Sequence, residues 1–235
     1  MAAVAGRPNV GKSTLINTLL GQKIAAVSPK PQTTRVNQVG ILTAESLQVA
    51  FIDTPGLHNP HHKLGESMNA VAREALQEAD LILWLVDASQ PPHEEDQIIT
   101  GHLAELASLP LVIQVLNKSD LVNAEVLAQR RAEYARLFPN VHQMAASALS
   151  GAGLGELLET VVRELPEGEA LYPADQVTDQ YEREIAADLI REAALQHLRE
   201  EVPYALAVRV DQYQERGESG AFISATLFVE KESQK

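Results

Sequence analysis

The chain has 235 residues, no cysteine, and 32 acidic against 19 basic side chains, for a formal net charge of −13. That length allows one medium domain plus a small one around a real core, and the lack of thiols excludes disulfides and thiolate metal sites and points to a reducing, cytoplasmic compartment. The acidic balance opposes nonspecific attraction to nucleic acid, no apolar run approaches the ~18 residues of a spanning helix, and the first six residues are too short for a signal peptide.

The N-terminus reads as a short strand running into Gly6-Arg7-Pro8-Asn9-Val10-Gly11-Lys12-Ser13-Thr14 and then an apolar helix over 15–20. Alternating stretches at 39–43 and 47–52, split by a short polar turn, suit an antiparallel hairpin. The second delivers Asp53-Thr54-Pro55-Gly56 at its end. Apolar runs at 81–86 and 109–116 look like strands buried on both faces. With helical segments between and after them, they predict an α/β fold: a mostly parallel sheet covered by helices, with one antiparallel edge strand. A last strand at 141–145 and a helix at 154–164 complete a first domain over 1–165.

Residues 166–177 carry Pro and Gly without a period and read as a linker. A second unit, 178–235, begins with a helix whose predicted apolar face holds Ile185, Ala186, Leu189, Ile190 and Ala193. Tyr204, Leu206, Val208 and Val210 then alternate with polar or small neighbours, and a second alternating run covers 222–229. One helix and two strands bury little apolar area, so this unit is expected to lean on the first domain or on further sequence.

Residues 6–13 fit the phosphate-loop pattern G-x-x-x-x-G-K-[ST], in the strand-loop-helix context the pattern requires. Glycines let backbone N–H groups turn around the phosphates, Lys12 reaches the outer phosphates, and the Ser13 hydroxyl binds magnesium. Asp53 at a strand end can hold the same ion through water, and the Gly56 N–H can meet the γ-phosphate. Asn117-Lys118-Ser119-Asp120 selects the base. The Asp120 carboxylate can accept two hydrogen bonds from guanine, adenine lacks that donor pair, and a buried carboxylate left unsatisfied is costly. Asn117 and Lys118 would brace the loop and cover the ring, and Ser147-Ala148 would offer a backbone N–H to the guanine oxygen. These signals together indicate GTP and GDP with Mg2+.

In these motifs, and in Pro31-Gln32-Thr33-Thr34-Arg35, Leu57-His58 and Glu201-Val202-Pro203-Tyr204, nearly the whole chain resembles the Era GTPases. The resemblance implies a G domain followed by a KH domain, binding to 16S rRNA near its 3′ end, assistance to assembly of the 30S subunit, and peripheral association with the inner membrane. It makes Thr34 the switch threonine that completes the magnesium shell, with Thr33 as its competitor. Lys12, Thr34, Gly56 and Asn9 become the catalytic group. Leu57 stands where many GTPases carry a glutamine that orients water, so intrinsic hydrolysis should be slow. In related enzymes with an apolar residue there, a loop asparagine helps hold K+. Asn9 occupies that place, and the alternatives are potassium-stimulated hydrolysis or an Asn9 that only shapes the loop.

His58, His61, His62, His93 and His102 have no zinc spacing and read as exposed loop residues. Gly217-Glu218-Ser219-Gly220 matches a bare G-x-x-G, yet it is acidic and placed as a hairpin turn. Era chains continue past the position of Gln234-Lys235 into the RNA-gripping loop, so weak or no RNA binding is expected of this chain. Against the ribosomal reading stands a nucleotide-controlled binding module whose C-terminal region docks protein or membrane.

Overall fold

Every residue of β4 (Leu81–Asp87) is buried, as a continuous apolar run in the middle of a parallel sheet requires. Its side chains divide by the two-residue period of a strand. Leu81, Leu83 and Leu85 enter one apolar cluster, while Ile82, Trp84 and Val86 enter another on the opposite face. The computed structural model describes residues 1–28, 33–60, 63–197, 206–217 and 220–229.

Around β4 the sheet is built from β1 (Ala2–Ala5), β2 (Gln38–Ala44), β3 (Leu47–Asp53), β5 (Leu111–Asn117) and β6 (His142–Ala145), in the order β2-β3-β1-β4-β5-β6. All neighbours are parallel except the edge strand β2, which runs antiparallel to β3. This is the predicted α/β arrangement with one antiparallel edge. Helices α1 (Lys12–Leu20) and α5 (Leu154–Glu164) cover one face through Leu15, Ile16, Leu157 and Val161. The other face receives α2 (Lys63–Glu78), α3 (Glu94–Ala104) and α4 (Ala124–Leu137), which contribute Leu76, Ile99, Leu103 and Tyr134. Trp84 fills that side, edge-on to Tyr134 at 6.5 Å and to Phe138 at 6.0 Å between ring centres. Among the described residues no helix is long and apolar enough to cross a membrane.

The later region has α6 (Glu182–His197) and an antiparallel pair, β7 (Ala207–Glu215) and β8 (Ala221–Phe228). The Arg216 N–H donates to the Gly220 carbonyl at 2.7 Å, so Gly217 and Gly220 do belong to a hairpin turn. Helix α6 departs from expectation. It starts at Glu182, and its buried residues are Ala186, Arg191, Glu192 and Leu195, while Ala193 is exposed. The apolar pattern misread the face because polar partners from the first region, the Thr33 carbonyl and the Lys23 amine, meet Arg191 and Glu192. The segment at 166–177 is anchored to the sheet. The Val177 carbonyl accepts from Ile41 N at 2.9 Å, and Gly40 bridges Thr178, so the chain runs along the outer edge of β2. Pro31, Gln32, His61, His62, residues 201–204, Glu218, Ser219 and residues 234–235 lie outside the described residues.

Candidate nucleotide site

Helix α1 begins at Lys12, capped by the left-handed Gly11, with no acidic residue in its first turn. The helix's unpaired N–H groups and positive end are thus open to an anion. Lys12 turns back along the loop, and its Nζ donates to the carbonyls of Gly6 and Arg7 at 3.1 Å each. Only 7% exposed, it has its pKa lowered to about 8, chiefly by burial, with Asp53 opposing the shift. Gly11 has φ +102°, and a Cβ there would run into Asn117 Nδ2, so glycine is required on two counts.

Below this loop three oxygens converge. Ser13 Oγ donates to Asp53 Oδ2 at 2.6 Å, Thr34 Oγ1 lies 3.2 Å from the same oxygen, and the two hydroxyls are 3.1 Å apart. Asp53 is 1% exposed, and burial raises its pKa, with Lys12, Ser13 and Thr34 acting against the shift. Its Oδ1 is buried with no hydrogen-bond partner among the described residues. A buried carboxylate with one orphan oxygen, beside two hydroxyls, is an oxygen-rich donor set of the kind a hard cation takes. Thr34, rather than Thr33, puts its hydroxyl in this cluster.

At the end of β5, Asn117 Nδ2 donates to the Val10 carbonyl at 2.7 Å, and its Oδ1 accepts from Ala148 N at 2.9 Å. One buried side chain thus ties the phosphate loop to the loop after β6. Lys118 takes left-handed backbone at φ 61°, and its Nζ donates to the Asn9 carbonyl at 2.9 Å and to Asp87 Oδ2 at 2.7 Å. Asp87, itself gripped by Ser89, was missed in the sequence. The available signal was a carboxylate closing an otherwise apolar strand in register with Asn117.

These elements surround one cavity of about 470 Å³, lined by Pro8, Asn9, Gly11, Lys12, Ser13, Thr14, Thr34, Gly56, Asn117, Lys118, Asp120, Ser147 and Ala148 of the predicted residues. Gly6, Arg7, Val10, Asp53, Thr54 and Pro55 do not line it. They form its support: Val10 is in the core, Thr54 Oγ1 is committed to the Val4 carbonyl at 2.8 Å, and Arg7 pairs with Gln90 and stands 3.7 Å from Asp96. Two expectations need correction. The Ser147 N–H donates to the Ala152 carbonyl, closing its own loop, and the Ala148 N–H to the Asn117 side-chain Oδ1, so both groups brace the cavity wall instead of standing open to a guanine oxygen. His58 is buried, not exposed: its Nδ1 lies 2.9 Å from the Gly56 carbonyl, and Asn69 grips its main chain, while His102 stands half-buried on α3 rather than in a loop. Leu57 is wholly buried in the apolar cluster beneath the loop.

Known proteins resemble the chain over nearly its whole length. The family described as 50S ribosome-binding GTPase matches residues 1–118. The chain is 43% identical to GTPase Era of Heliobacterium modesticaldum over 99% of its own length and 77% of that protein's. Against GTPase Era of Geobacter metallireducens the identity is 45%, over 99% and 78% of the two chains. A crystal structure of Era in complex with MgGDPNP and nucleotides 1506–1542 of 16S ribosomal RNA superimposes with a TM-score of 0.91 at 38% identity, covering 99% of this chain and 79% of that one. A point variant of Aquifex aeolicus Era bound to GDP and AlF4− gives 0.90, also at 38% identity.

Proposed function

The chain belongs to the Era family of GTPases, and from that premise we propose how its cleft is used. GTP lies with its phosphates on residues 6–14 and its purine against Asn117, Lys118 and Asp120, and hydrolysis to GDP and phosphate sets the state of the loops around Thr34 and Gly56. The observation that carries this reading is that Lys12 and Asp120, far apart in sequence, line one cavity of about 470 Å³.

Ser13, Thr34 and Asp53 would hold Mg2+. When bound, magnesium supplies positive charge against the β- and γ-phosphates. The orphan Asp53 oxygen and the pair of neighbouring hydroxyls support that assignment. Lys12, free to exchange its carbonyl partners for phosphate oxygens, stabilises charge as the γ-phosphate leaves. The Gly56 N–H meets the same group. With Leu57 buried and apolar, no side chain at that position orients water, so the slow intrinsic rate falls to other groups; we assign Asn9 to a K+ site beside the phosphates. Equal turnover in sodium and potassium salts would remove that assignment.

On the Era premise we further propose that residues 1–165 are a G domain, 166–177 a connector, and 178–235 a KH-like region. The partner is 16S rRNA of the small-subunit precursor, as the Era complex with 16S nucleotides supports. The protein acts in the cytoplasm, with peripheral contact to the inner membrane.

Titration with GTP, GDP and ATP in magnesium buffer tests the site: both guanine nucleotides bind and ATP does not. Asp120→Asn exchanges an acceptor for a donor, so it should weaken GTP binding roughly a hundredfold and favour xanthosine triphosphate. Unchanged preference for GTP would sink the base assignment.

A further inference from the structure

Resting on the magnesium-site reading above, we propose that Arg191 of α6, held in place by Asp188, is a positioning residue for the switch threonine Thr34. Arg191 is 7% exposed. One nitrogen, Nη2, donates to the Thr33 carbonyl at 2.8 Å and to Asp188 Oδ1 at 2.6 Å. The other Asp188 oxygen accepts from Gln38, the buried first residue of β2. A hydrogen-bonded chain therefore runs from the sheet edge through α6 to the Thr33 carbonyl.

That carbonyl belongs to the peptide unit joining Thr33 to Thr34, and peptide units are planar. Fixing its oxygen fixes the orientation in which the main chain enters Thr34, whose hydroxyl stands over Ser13 and Asp53. One residue further on, Arg35 Nη1 donates to the Leu206 carbonyl at 3.1 Å. Thr34 is thus gripped on both sides by the region beyond the sheet. Stability alone does not explain the arrangement, because a buried ion pair often contributes little net folding energy. What it does supply is geometry: a planar guanidinium spans a carboxylate and a carbonyl in fixed directions, which a lysine does only in part.

The consequence is selective. Thr34 acts on the triphosphate state, so Arg191 should matter for GTP analogues and not for GDP. The test measures affinity of the full 235-residue chain for fluorescent GDPNP and GDP in magnesium buffer. Arg191→Ala should weaken GDPNP about tenfold and leave GDP unchanged, a loss of the size expected for a charged hydrogen bond. Arg191→Lys should recover part of the loss. The double variant Arg191→Ala/Thr34→Ala should bind GDPNP no worse than Thr34→Ala alone, since both changes remove one function.

Three results overturn the proposal. Arg191→Ala with GDPNP affinity intact, while Thr34→Ala lowers it, removes the positioning role and leaves the magnesium site standing. Equal losses for GDP and GDPNP make Arg191 a structural residue. A neutral Thr34→Ala removes the magnesium reading and this proposal together. Should Arg191→Ala fail to fold, judged by circular dichroism and GDP binding, Asp188→Asn keeps the shape and frees the guanidinium. It should then reproduce a smaller, GDPNP-selective loss, and its absence overturns the proposal equally.

Discussion

The sheet region and the α6 hairpin region hold their parts by different forces. Around β4 the positioning is done by buried apolar surface on both faces, which is non-directional but large in sum. Where α6 and its preceding segment meet the sheet, the contacts are directional and polar: Gln48 with Leu171 and Tyr172, Ile41 with Val177, Gln38 with Asp188, Lys23 with Glu192, Arg191 with Thr33. A nucleotide cradle needs rigid walls, and the first kind of contact provides them. A loop that changes with the γ-phosphate needs directional contacts that can be exchanged one at a time, which hydrogen bonds provide.

The sharpest way to break this contrast is to cut into the apolar side. Trp84→Ala removes the largest fully buried side chain, together with its edge-on contacts to Tyr134 and Phe138. It should cost about 3–5 kcal/mol in urea unfolding and abolish nucleotide binding as the sheet loosens. A loss below about 1 kcal/mol, in the range of an ordinary surface substitution, would mean that the sheet is not held as argued.

Much of the apolar side was legible in the sequence. The run 81–86 is continuous and apolar, and its burial on both faces follows from that alone. The cradle was legible for a related reason: Gly11 and Lys12 occupy fixed offsets because backbone sterics and reach leave little choice. The polar side was not. Arg191 and Glu192 break the apolar period of α6, and nothing local says that a carbonyl at Thr33 and an amine at Lys23 await them. His58 was misjudged likewise, since the cage formed by Gly56 and Asn69 closes only in three dimensions. Long-range polar pairs leave no periodic trace, whereas strand burial and phosphate loops do.

A middle-sized effect sharpens the comparison at Lys12, a charge inside the rigid region. Its pKa, lowered to about 8 by burial, lies below the unfolded value of 10.5. Between those values the unfolded chain binds more protons, so the stability of the nucleotide-free protein rises with pH there. Phosphates bound in the cradle favour the charged form and raise the pKa again. Nucleotide binding should therefore take up a proton above about pH 8, and GDP affinity should fall about tenfold between pH 7 and 9. Calorimetry in buffers of different ionisation enthalpy reads the uptake directly; no proton uptake at pH 9 would show that Lys12 stays charged in the empty cleft.

The smallest effect falls on the polar clasp. Gln48 accepts from Leu171 N at 2.8 Å and Tyr172 N at 2.9 Å through Oε1, and returns a bond from Nε2 to the Tyr172 carbonyl at 2.9 Å. Gln48→Ala removes all of these contacts, which tie β3 to the segment before α6. Because the freed backbone groups are exposed or half-buried and can turn to water, the global cost should stay near 1 kcal/mol. Its local signature is larger: amide exchange should quicken at Leu171, Tyr172 and Ile41, while the amides of β4 and β5 keep their protection. Faster exchange in β4 and β5 as well would mean that the two regions open as one cooperative unit. In that case the directional contacts at the sheet edge belong to the core's stability, and the division between rigid cradle and adjustable clasp fails.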